Sequence, residues 1–268
     1  MKNDLIRDDD TAEFLDLAAG EGWITDRWEL EFLRSAFPQG CLVRRSGTVP
    51  VAFITALRYQ RSGWIGNLLV RPEQRRQGCG AALMVKALSA LEDAGVETIW
   101  LTASPSGKPL YEKLGFEEID RIDRWIGTGF RLSPPSEVQE ITDEMVALDA
   151  AGWGDRRELL LSALGSEGSA IVTPDAFLLT RNVGNLCQIG PLAGTAAAAT
   201  TLLQQYLAPT SGDERIGLDL PRGNRAMAGF LEQQGLEKSG STVLMYKGVT
   251  PAYRPELIGA CGSMGSMG

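Results

Sequence analysis

The chain contains no histidine among its 268 residues. This absence excludes a Ser-His-Asp or Cys-His nucleophilic site, and it excludes any metal centre that depends on imidazole ligands. Proton transfer in this protein therefore has to use carboxylates, tyrosine, lysine, cysteine, backbone groups or water.

Cysteine is scarce and dispersed, with no C-x-x-C motif and no spacing typical of a metal site; the four cysteines are Cys41, Cys79, Cys187 and Cys261. We therefore predict reduced thiols, no bound metal and a cytoplasmic location. The sequence also lacks a long uncharged apolar run, and residues 1–4 lack the apolar core of a signal peptide. We accordingly expect no membrane segment.

Positive charge is in deficit, with 26 Lys and Arg against 34 Asp and Glu and a net charge of −8. This balance argues against nucleic acid and against an anionic membrane as partners. It is compatible with a cationic acceptor, but equally with charge that serves only solubility. The length and the hydrophobic content of 44% are sufficient for two domains with separate cores.

The stretch from Val70 to Met84 carries the strongest pattern in the sequence. We predict a buried strand over residues 65–70, then a short turn and an apolar helix over residues 81–91. Gly78 and Gly80 precede the helix and lack a Cβ, so a ligand can approach the backbone closely. Free N–H groups and the positive end of a helix dipole meet at such a junction, which suits a pyrophosphate.

A second pattern follows at a suitable distance downstream. Residues 98–102 are predicted to form a buried strand, and residues 108–116 (KPLYEKLGF) a helix that ends at Gly115. In this order and setting, the two stretches resemble motif A and motif B of the GNAT acetyltransferase superfamily. The resemblance implies an α/β fold with a mixed sheet and acetyl-CoA, or a related acyl-CoA, as donor. It also implies direct attack of an amine on the thioester, which needs no enzyme nucleophile and so tolerates the lack of histidine.

The resemblance assigns the donor-binding roles to two runs of residues and one serine. The pyrophosphate would sit on the backbone of the residues matching motif A, namely Arg75, Arg76, Gln77, Gly78, Cys79, Gly80 and Ala81. The pantetheine arm would run beside Leu68, Leu69 and Val70. Ser104 takes the place of an asparagine that contacts the cofactor in many relatives. For Cys79 we favour packing over chemistry, and the side chains of Arg75 and Arg76 either contact phosphate or are simply solvated.

Tyr111 is the predicted catalytic residue. The resemblance places its phenol near the sulfur, where it would protonate the departing thiolate. The base for the acceptor amine is left open, because Asn67 falls near the position at which several relatives carry a glutamate, and an amide is not a base. The candidates are Glu21, Asp26, Asp155, Asp219 and an ordered water chain.

Several further side chains have two interpretations each. Trp23, Trp28 and Trp64 either stack on a cationic or aromatic acceptor or pack in the core. Trp153 with Asp155 and Arg156 either forms a wall of the acceptor pocket, or the two charged residues form a structural ion pair.

The second half repeats the plan of the first imperfectly. Gly235 stands 120 positions after Gly115, and at that offset Leu231 replaces Tyr111. The same offset puts residues without the phosphate-binding pattern in place of Arg75, Gly78 and Gly80; they are Thr195, Ala198 and Thr200. The resemblance thus predicts two tandem GNAT-like domains, of which the second is degenerate and has no cofactor site.

We place the catalytic domain with the acetyl-CoA site at residues 1–131 and the degenerate domain at residues 137–250. The linker lies within residues 131–137, where adjacent prolines cannot continue a helix. Residues 251–268 are predicted to form a tail that is disordered at its end, because residues 261–268 offer little apolar surface.

The leading functional prediction is an N-acetyltransferase for a primary amine of a small molecule, with the second domain enclosing the acceptor site. One alternative is acetylation of a protein or peptide amine, which would favour an open groove. Another is a non-catalytic acyl-CoA sensor, which would not need an acid at Tyr111. The last alternative is an interaction module without a cofactor, and a homodimer is a further possibility.

Overall fold

A computed structural model of the protein describes residues 1–132, 140–263 and 265–268. Of the predicted linker at residues 131–137, residues 131 and 132 end a strand, and residues 133–137 lie outside the described residues. The helices are α1 (Thr11–Gly20), α2 (Arg27–Ala36), α3 (Cys79–Asp93), α4 (Lys108–Lys113), α5 (Asp143–Trp153), α6 (Glu158–Glu167), α7 (Ala196–Tyr206) and α8 (Arg225–Gln233). The strands of the first half are β1 (Lys2–Leu5), β2 (Leu42–Ser46), β3 (Val49–Arg58), β4 (Ser62–Val70), β5 (Thr98–Ala103), β6 (Glu117–Thr128) and β7 (Phe130–Leu132). Those of the second half are β8 (Ser169–Thr173), β9 (Ala176–Val183), β10 (Leu186–Gly194), β11 (Leu207–Pro209), β12 (Arg215–Pro221), β13 (Glu237–Gly248) and β14 (Ile258–Ala260).

One mixed sheet of twelve strands runs through both halves. Its order is β1-β2-β3-β4-β5-β13-β6-β12-β10-β9-β8, with β14 paired to β10, while β7 and β11 form a separate pair. This arrangement confirms the predicted α/β fold with a mixed sheet. No helix in the described parts of the chain is long and apolar enough to cross a membrane.

The halves exchange strands at their junction. Strand β13 of the second half lies between β5 and β6, with Val243 opposite Ala103. Strand β6 of the first half in turn pairs with β12, where Ile126 is opposite Gly217. The sheet of each half is therefore completed by a strand of the other, and the predicted boundary at residue 131 separates sequence segments rather than separate sheets.

Strands β4 and β5 diverge partway along their length. Their parallel pairing runs from Ser62 opposite Thr98 to Ile65 opposite Leu101, although both strands continue beyond this point. A bulge in β4 accompanies the divergence, because the register with β3 shifts and Asn67 has a left-handed φ of 53°. An opening, the β4–β5 gap, therefore lies between residues 66–70 of β4 and residues 102–103 of β5.

Aromatic rings join the halves behind this gap. The Trp64 ring lies 6.5 Å from that of Trp100, and Trp153 meets Trp100 edge-on at 5.7 Å. Trp64, Trp100 and Trp153 are all buried, so their burial contributes to stability as in any hydrophobic core. Of the two interpretations of Trp64, the structure supports packing, and Trp153 lies in the core rather than in a wall of the pocket.

The end of the chain differs from the disordered tail that the sequence predicts. Ser263, Ser266 and Met267 are buried, and the Gly265 carbonyl accepts hydrogen bonds from Thr102 Oγ1 at 3.2 Å and Trp64 Nε1 at 3.3 Å. The prediction counted only the apolar side chains of the segment. It did not include main-chain hydrogen bonds to the first half, which make burial of a glycine-rich segment favourable.

Candidate active site

The backbone at the start of α3 is open to an anion. Gly78 precedes the helix with a left-handed φ of 79°, and Arg76 before it has a φ of 61°. Within the described chain, no group accepts a hydrogen bond from the backbone N–H of Gly78, Cys79, Gly80 or Ala81. Free N–H groups at the positive end of a helix dipole are an arrangement that suits a phosphate.

The side chains around this turn have different environments. Arg75 donates to the Val70 carbonyl at 3.0 Å and pairs with Glu21, whereas Arg76 is exposed and pairs with none of the described residues. Gln77 is exposed and donates to a backbone carbonyl, and Cys79 is buried in the core. The packing interpretation of Cys79 is supported, and Arg76 has the freer guanidinium for a phosphate.

The predicted pantetheine-binding residues lie along the β4–β5 gap. Leu68 and Val70 are half-buried, while Leu69 is buried in the core. The Cα of Gly80 is close to the gap, since a Cβ on this residue would lie 3.6 Å from Val70 and 3.7 Å from Leu68. The gap and the start of α3 are thus continuous.

Tyr111 of α4 lies at the inner end of the gap. Its ring packs edge-on against Phe116 at 6.1 Å, and burial raises the pKa of its phenol to about 12. The hydroxyl has no hydrogen-bond partner among the described residues. A phenol of this kind stays protonated at neutral pH and can donate its proton. Ser104 lies nearby, but its hydroxyl already accepts from the Gly107 N–H at 3.2 Å and contacts Ser106.

Tyr111 and Ser104 line a pocket of about 350 Å³. It extends from Ser104 and Tyr111 past Asn67 to Trp23 in the loop before α2. The second half contributes Asp219 and residues 239–242 to its wall. The structure thus brings Leu68, Ser104 and Tyr111 together on one pocket, and Leu68 also lies beside Gly80 at the start of α3.

Most of the predicted bases lie elsewhere. Glu21 pairs with Arg75, and Asp26 caps α2 by accepting from the Glu29 N–H at 3.0 Å. Asp155 accepts from the Ser62 N–H and hydroxyl, both at 2.7 Å, so it anchors the start of β4. Asp219 does reach the pocket. Both of its oxygens, however, accept from Arg124, at 2.8 and 2.9 Å.

Glu29 is a pocket residue that the sequence patterns did not predict. It lies in the first turn of α2 with a side chain that is 3% exposed, and its carboxylate accepts from Thr25 Oγ1 at 3.0 Å. Burial is the largest influence on its carboxyl and raises its pKa. A signal was available, because Glu29 stands four positions before Leu33 and so interrupts the apolar face of an amphipathic helix.

Trp23, Trp28 and Arg156 lie in three different environments. Trp23 lines the pocket and is 38% exposed, so it remains available to a ligand. Trp28 instead stacks on Phe32 and lies beneath Arg181, whose guanidinium carbon is 4.5 Å from the ring centroid. Arg156 forms a surface ion pair with Asp143 at 2.8 Å, away from the pocket.

The corresponding site in the second half is closed. Thr195 caps α7 by accepting from the Ala198 N–H at 3.3 Å. Strands β10 and β12 diverge after Gln188 and Gly217, as β4 and β5 do, but β14 pairs with β10 there through Ala260 opposite Leu192.

The described residues contain no group of side chains suited to a metal ion.

Two family models match the chain. The model of the Acetyltransferase (GNAT) family matches residues 4–116, and that of the Acetyltransferase (GNAT) domain matches residues 145–258. Among curated proteins, the ribosomal protein bS18-alanine N-acetyltransferase of Escherichia coli is 44% identical over 55 residues, 19% of this chain and 37% of the relative. Its Haemophilus influenzae counterpart is 39% identical over 56 residues. The chain therefore spans little more than a third of the length of these relatives.

Solved structures are similar over nearly the whole chain. A Pyrococcus horikoshii protein named a "putative acetyltransferase" superposes with a TM-score of 0.78 and 20% identity, covering 97% of this chain and 93% of that one. A GCN5-related N-acetyltransferase from Sphaerobacter thermophilus has a TM-score of 0.61 and 16% identity, with coverage of 94% and 98%. At these identities the likeness concerns the fold alone, and it extends across both halves.

Proposed function

The chain belongs to the GNAT acetyltransferase family, and on this basis we propose that it transfers an acetyl group from acetyl-CoA to a primary amine of a small molecule. The amine nitrogen attacks the thioester carbonyl carbon directly, and the C–S bond breaks. Tyr111 supplies the proton that the departing thiolate takes up. No covalent enzyme intermediate is required.

One observation carries this proposal. The unpaired N–H groups at the start of α3 lie beside Leu68 of the β4–β5 gap, and Leu68 lines the same pocket as Tyr111. A donor whose pyrophosphate lies on the N–H groups and whose arm fills the gap would present its thioester at Tyr111. The residues proposed for the donor are those predicted from motif A and motif B.

The pocket beyond Tyr111 supports a small acceptor. At about 350 Å³ it is at the lower end of the range for small-molecule sites. Its wall is built from both halves, because Asp219 and residues 239–242 of the second half line it together with Trp23 of the first. A pocket of this size accommodates a small amine better than a folded protein surface.

A peptide amine is the second candidate. The relatives from Escherichia coli and Haemophilus influenzae are named for acetylation of an alanine in a ribosomal protein. In addition, the main chain of Gly265 and Ser266 already lies on the pocket wall, held by Thr102 and Trp64. This contact indicates that an extended peptide fits against the same side chains.

Calorimetric titration of acetyl-CoA tests the proposal. We expect one site per chain in the wild type and its loss in Gly78→Asp, because a side chain at this left-handed residue strains the turn and places a carboxylate at the phosphate site. Gly95→Asp is the matched control, since Gly95 has a φ of 77° and, like Gly78, open space around it, but follows the other end of α3. Its acetyl-CoA affinity should equal that of the wild type.

The acceptor is then tested by thiol release from acetyl-CoA. A panel of small alkyl and aromatic amines is compared with short peptides that have a free N-terminus. Faster release with the small amines supports the leading proposal, and faster release with peptides supports the second candidate. No acetyl-CoA binding by the wild-type protein would refute both.

A further inference from the structure

We infer that Glu29 binds the ammonium group of the acceptor and accepts its proton before the attack on the thioester. This inference rests on the proposed function and adds the residue that recognises the amine. It also narrows the acceptor class, since a buried carboxylate selects an amine that arrives protonated.

Glu29 and Asp219 differ in how many hydrogen bonds their carboxylate oxygens can still accept. Of the described residues that line the pocket, these two carry the only carboxylates. Both oxygens of Asp219 are occupied by the Arg124 guanidinium. In Glu29, Oε1 accepts from Thr25, while Oε2 lies 4.0 Å from Arg181 Nη2, beyond hydrogen-bond distance. Glu29 therefore retains acceptor capacity toward the pocket.

The surroundings of Glu29 favour a cationic ligand. A buried carboxylate with unfilled lone pairs loses hydration without full compensation, so a donor-rich group such as an ammonium is stabilised beside it. The nearest cation, Arg181, is shared, because its Nη1 pairs with Asp26 at 2.6 Å. Ser266 also lies beside Glu29, and its buried hydroxyl makes no hydrogen bond with the described residues.

The charges around Glu29 set its basicity. Burial disfavours the ionised form most strongly, and Asp26 at the start of α2 acts in the same direction. The hydroxyls of Ser266 and Thr25 and the Arg181 guanidinium of β9 oppose this effect, and the net result is a raised pKa. Arg124 and Asp219, which also line the pocket, form a salt bridge with each other. A carboxylate with a raised pKa is a better base near neutral pH than an exposed one.

The proton balance of the step is complete. One N–H proton of the ammonium passes to a Glu29 oxygen, and the freed electron pair forms the new N–C bond. The C–S bond breaks and its electrons remain on sulfur, which takes the proton of the Tyr111 hydroxyl. The second nitrogen proton returns to the Tyr111 oxygen, and the proton on Glu29 leaves to water. The products are the amide, the free thiol and one proton.

The experiment compares Glu29→Gln with Glu31→Gln. Glu31 is an exposed residue of the same helix that pairs with Arg27 at 3.2 Å, so its variant controls for the loss of a charge from α2. Thiol release is measured with two probes, propane-1-amine and hydroxylamine. The first is protonated at neutral pH, and the second is largely neutral and needs no base.

With propane-1-amine at pH 7, Glu29→Gln should release thiol about 10²-fold more slowly than wild type. With hydroxylamine the deficit should fall below about threefold, and Glu31→Gln should match wild type with both probes. Acetyl-CoA titration should be the same for all three proteins. A structural role for Glu29 would instead slow both probes equally.

Two results would overturn the inference and leave the proposed function intact. One is wild-type activity of Glu29→Gln with propane-1-amine, and the other is an equal deficit with both probes. If wild-type protein binds acetyl-CoA but uses neither amine, the small-amine proposal fails together with the role of Glu29. A carbon-13 NMR titration of the Glu29 carboxyl, assigned with Glu29→Gln, gives a second test. A signal that does not shift on addition of propane-1-amine contradicts ammonium binding.

Discussion

Strand β4 with helix α3 and strand β10 with helix α7 are equivalent junctions in the two halves, yet only the first is open to a ligand. In the second half, Thr195 takes up an N–H group at the start of α7, and β14 fills the divergence between β10 and β12. In the first half, glycine replaces the capping side chain, and no described strand fills the β4–β5 gap. The main chain of the tail lies where the two strands begin to diverge, because the Gly265 carbonyl accepts from Thr102 and Ser266 packs against Gly66.

The comparison shows that the same strand–helix junction can either leave its backbone groups free for a ligand or satisfy them with other parts of the chain. Backbone groups at a helix start and at a diverging strand need partners, and the chain itself can provide them. Where β14 and Thr195 do so, the junction becomes a structural part of the core. At the start of α3 the described chain offers no acceptor to the backbone N–H groups, so water or a ligand has to complete their hydrogen bonds.

The first test of this comparison removes the proposed general acid, the Tyr111 hydroxyl. Leu231 stands at the position in α8 that Tyr111 has in α4. Tyr111→Phe should lower turnover about 10³-fold and leave acetyl-CoA affinity within about twofold, because the hydroxyl acts only on the leaving thiolate. Steady-state kinetics and calorimetry on the same samples measure both quantities, and Tyr206→Phe in α7 is the control outside the site.

The pH dependence of the wild type should agree with this role. Since the pKa of Tyr111 is raised to about 12, its phenol remains protonated throughout the range from pH 7 to 10. Loss of this proton should therefore cause no fall in turnover within that range. A turnover in Tyr111→Phe equal to wild type would remove the acid role and leave Tyr111 as a packing residue.

The second test weakens the packing of β14, the strand that fills the second junction. Ile258 of β14 is 1% exposed and packs against α5, so Ile258→Ala should lower the free energy of unfolding by about 3 kcal/mol. Leu159→Ala, at a residue of α6 that is 46% exposed, should change it by less than about 0.5 kcal/mol. Denaturant titration measures both.

The stoichiometry of acetyl-CoA binding completes this test. Ile258→Ala should still bind one molecule per chain, because Thr195 continues to cap α7. A second site in this variant would show that β14 alone closes the junction and that the cap is unimportant. A stability equal to wild type would contradict the structural role of β14.

The sequence predicted the local parts of this comparison and missed the long-range ones. The helix predicted at residues 81–91 lies within α3, the strand at residues 98–102 within β5, and the lost glycines of the second half mark the capped helix. These features depend on periodicity and on turn residues, which act over short distances.

The missed features all depend on contacts between distant segments. The exchange of β6 and β13 pairs residues more than 100 positions apart, and the buried tail bonds to Trp64 and Thr102 across even longer separations. Glu29 stands in a helix whose amphipathic pattern is evident from the sequence. Whether its side chain reaches the pocket, however, depends on how α2 packs against the rest of the protein. Local patterns carry no information of this kind.

The smallest expected effect concerns the ion pairs that hold the exchanged strands together. Asp123 of β6 pairs with Arg222 at 2.7 Å and with Lys238 of β13 at 2.9 Å. Burial alone would raise its pKa, but the hydrogen bonds from Arg222, Lys238 and Ser241 outweigh burial and lower the pKa to about 2. Asp123→Asn should therefore lower the free energy of unfolding at pH 7 by about 2 kcal/mol.

The sign of the pH dependence distinguishes this contribution from simple packing. Because the folded pKa lies below the ordinary value of 3.8, the stabilisation is fully present above that value and is lost as the pH falls toward 2. The difference between wild type and Asp123→Asn should thus shrink from pH 5 to pH 2 in denaturant titrations. Asp143→Asn, in a surface pair whose Asp143 side chain is 86% exposed, should stay within about 0.5 kcal/mol of wild type throughout. A difference for Asp123→Asn that does not change with pH would mean that shape and packing, rather than the charge of Asp123, join the two halves.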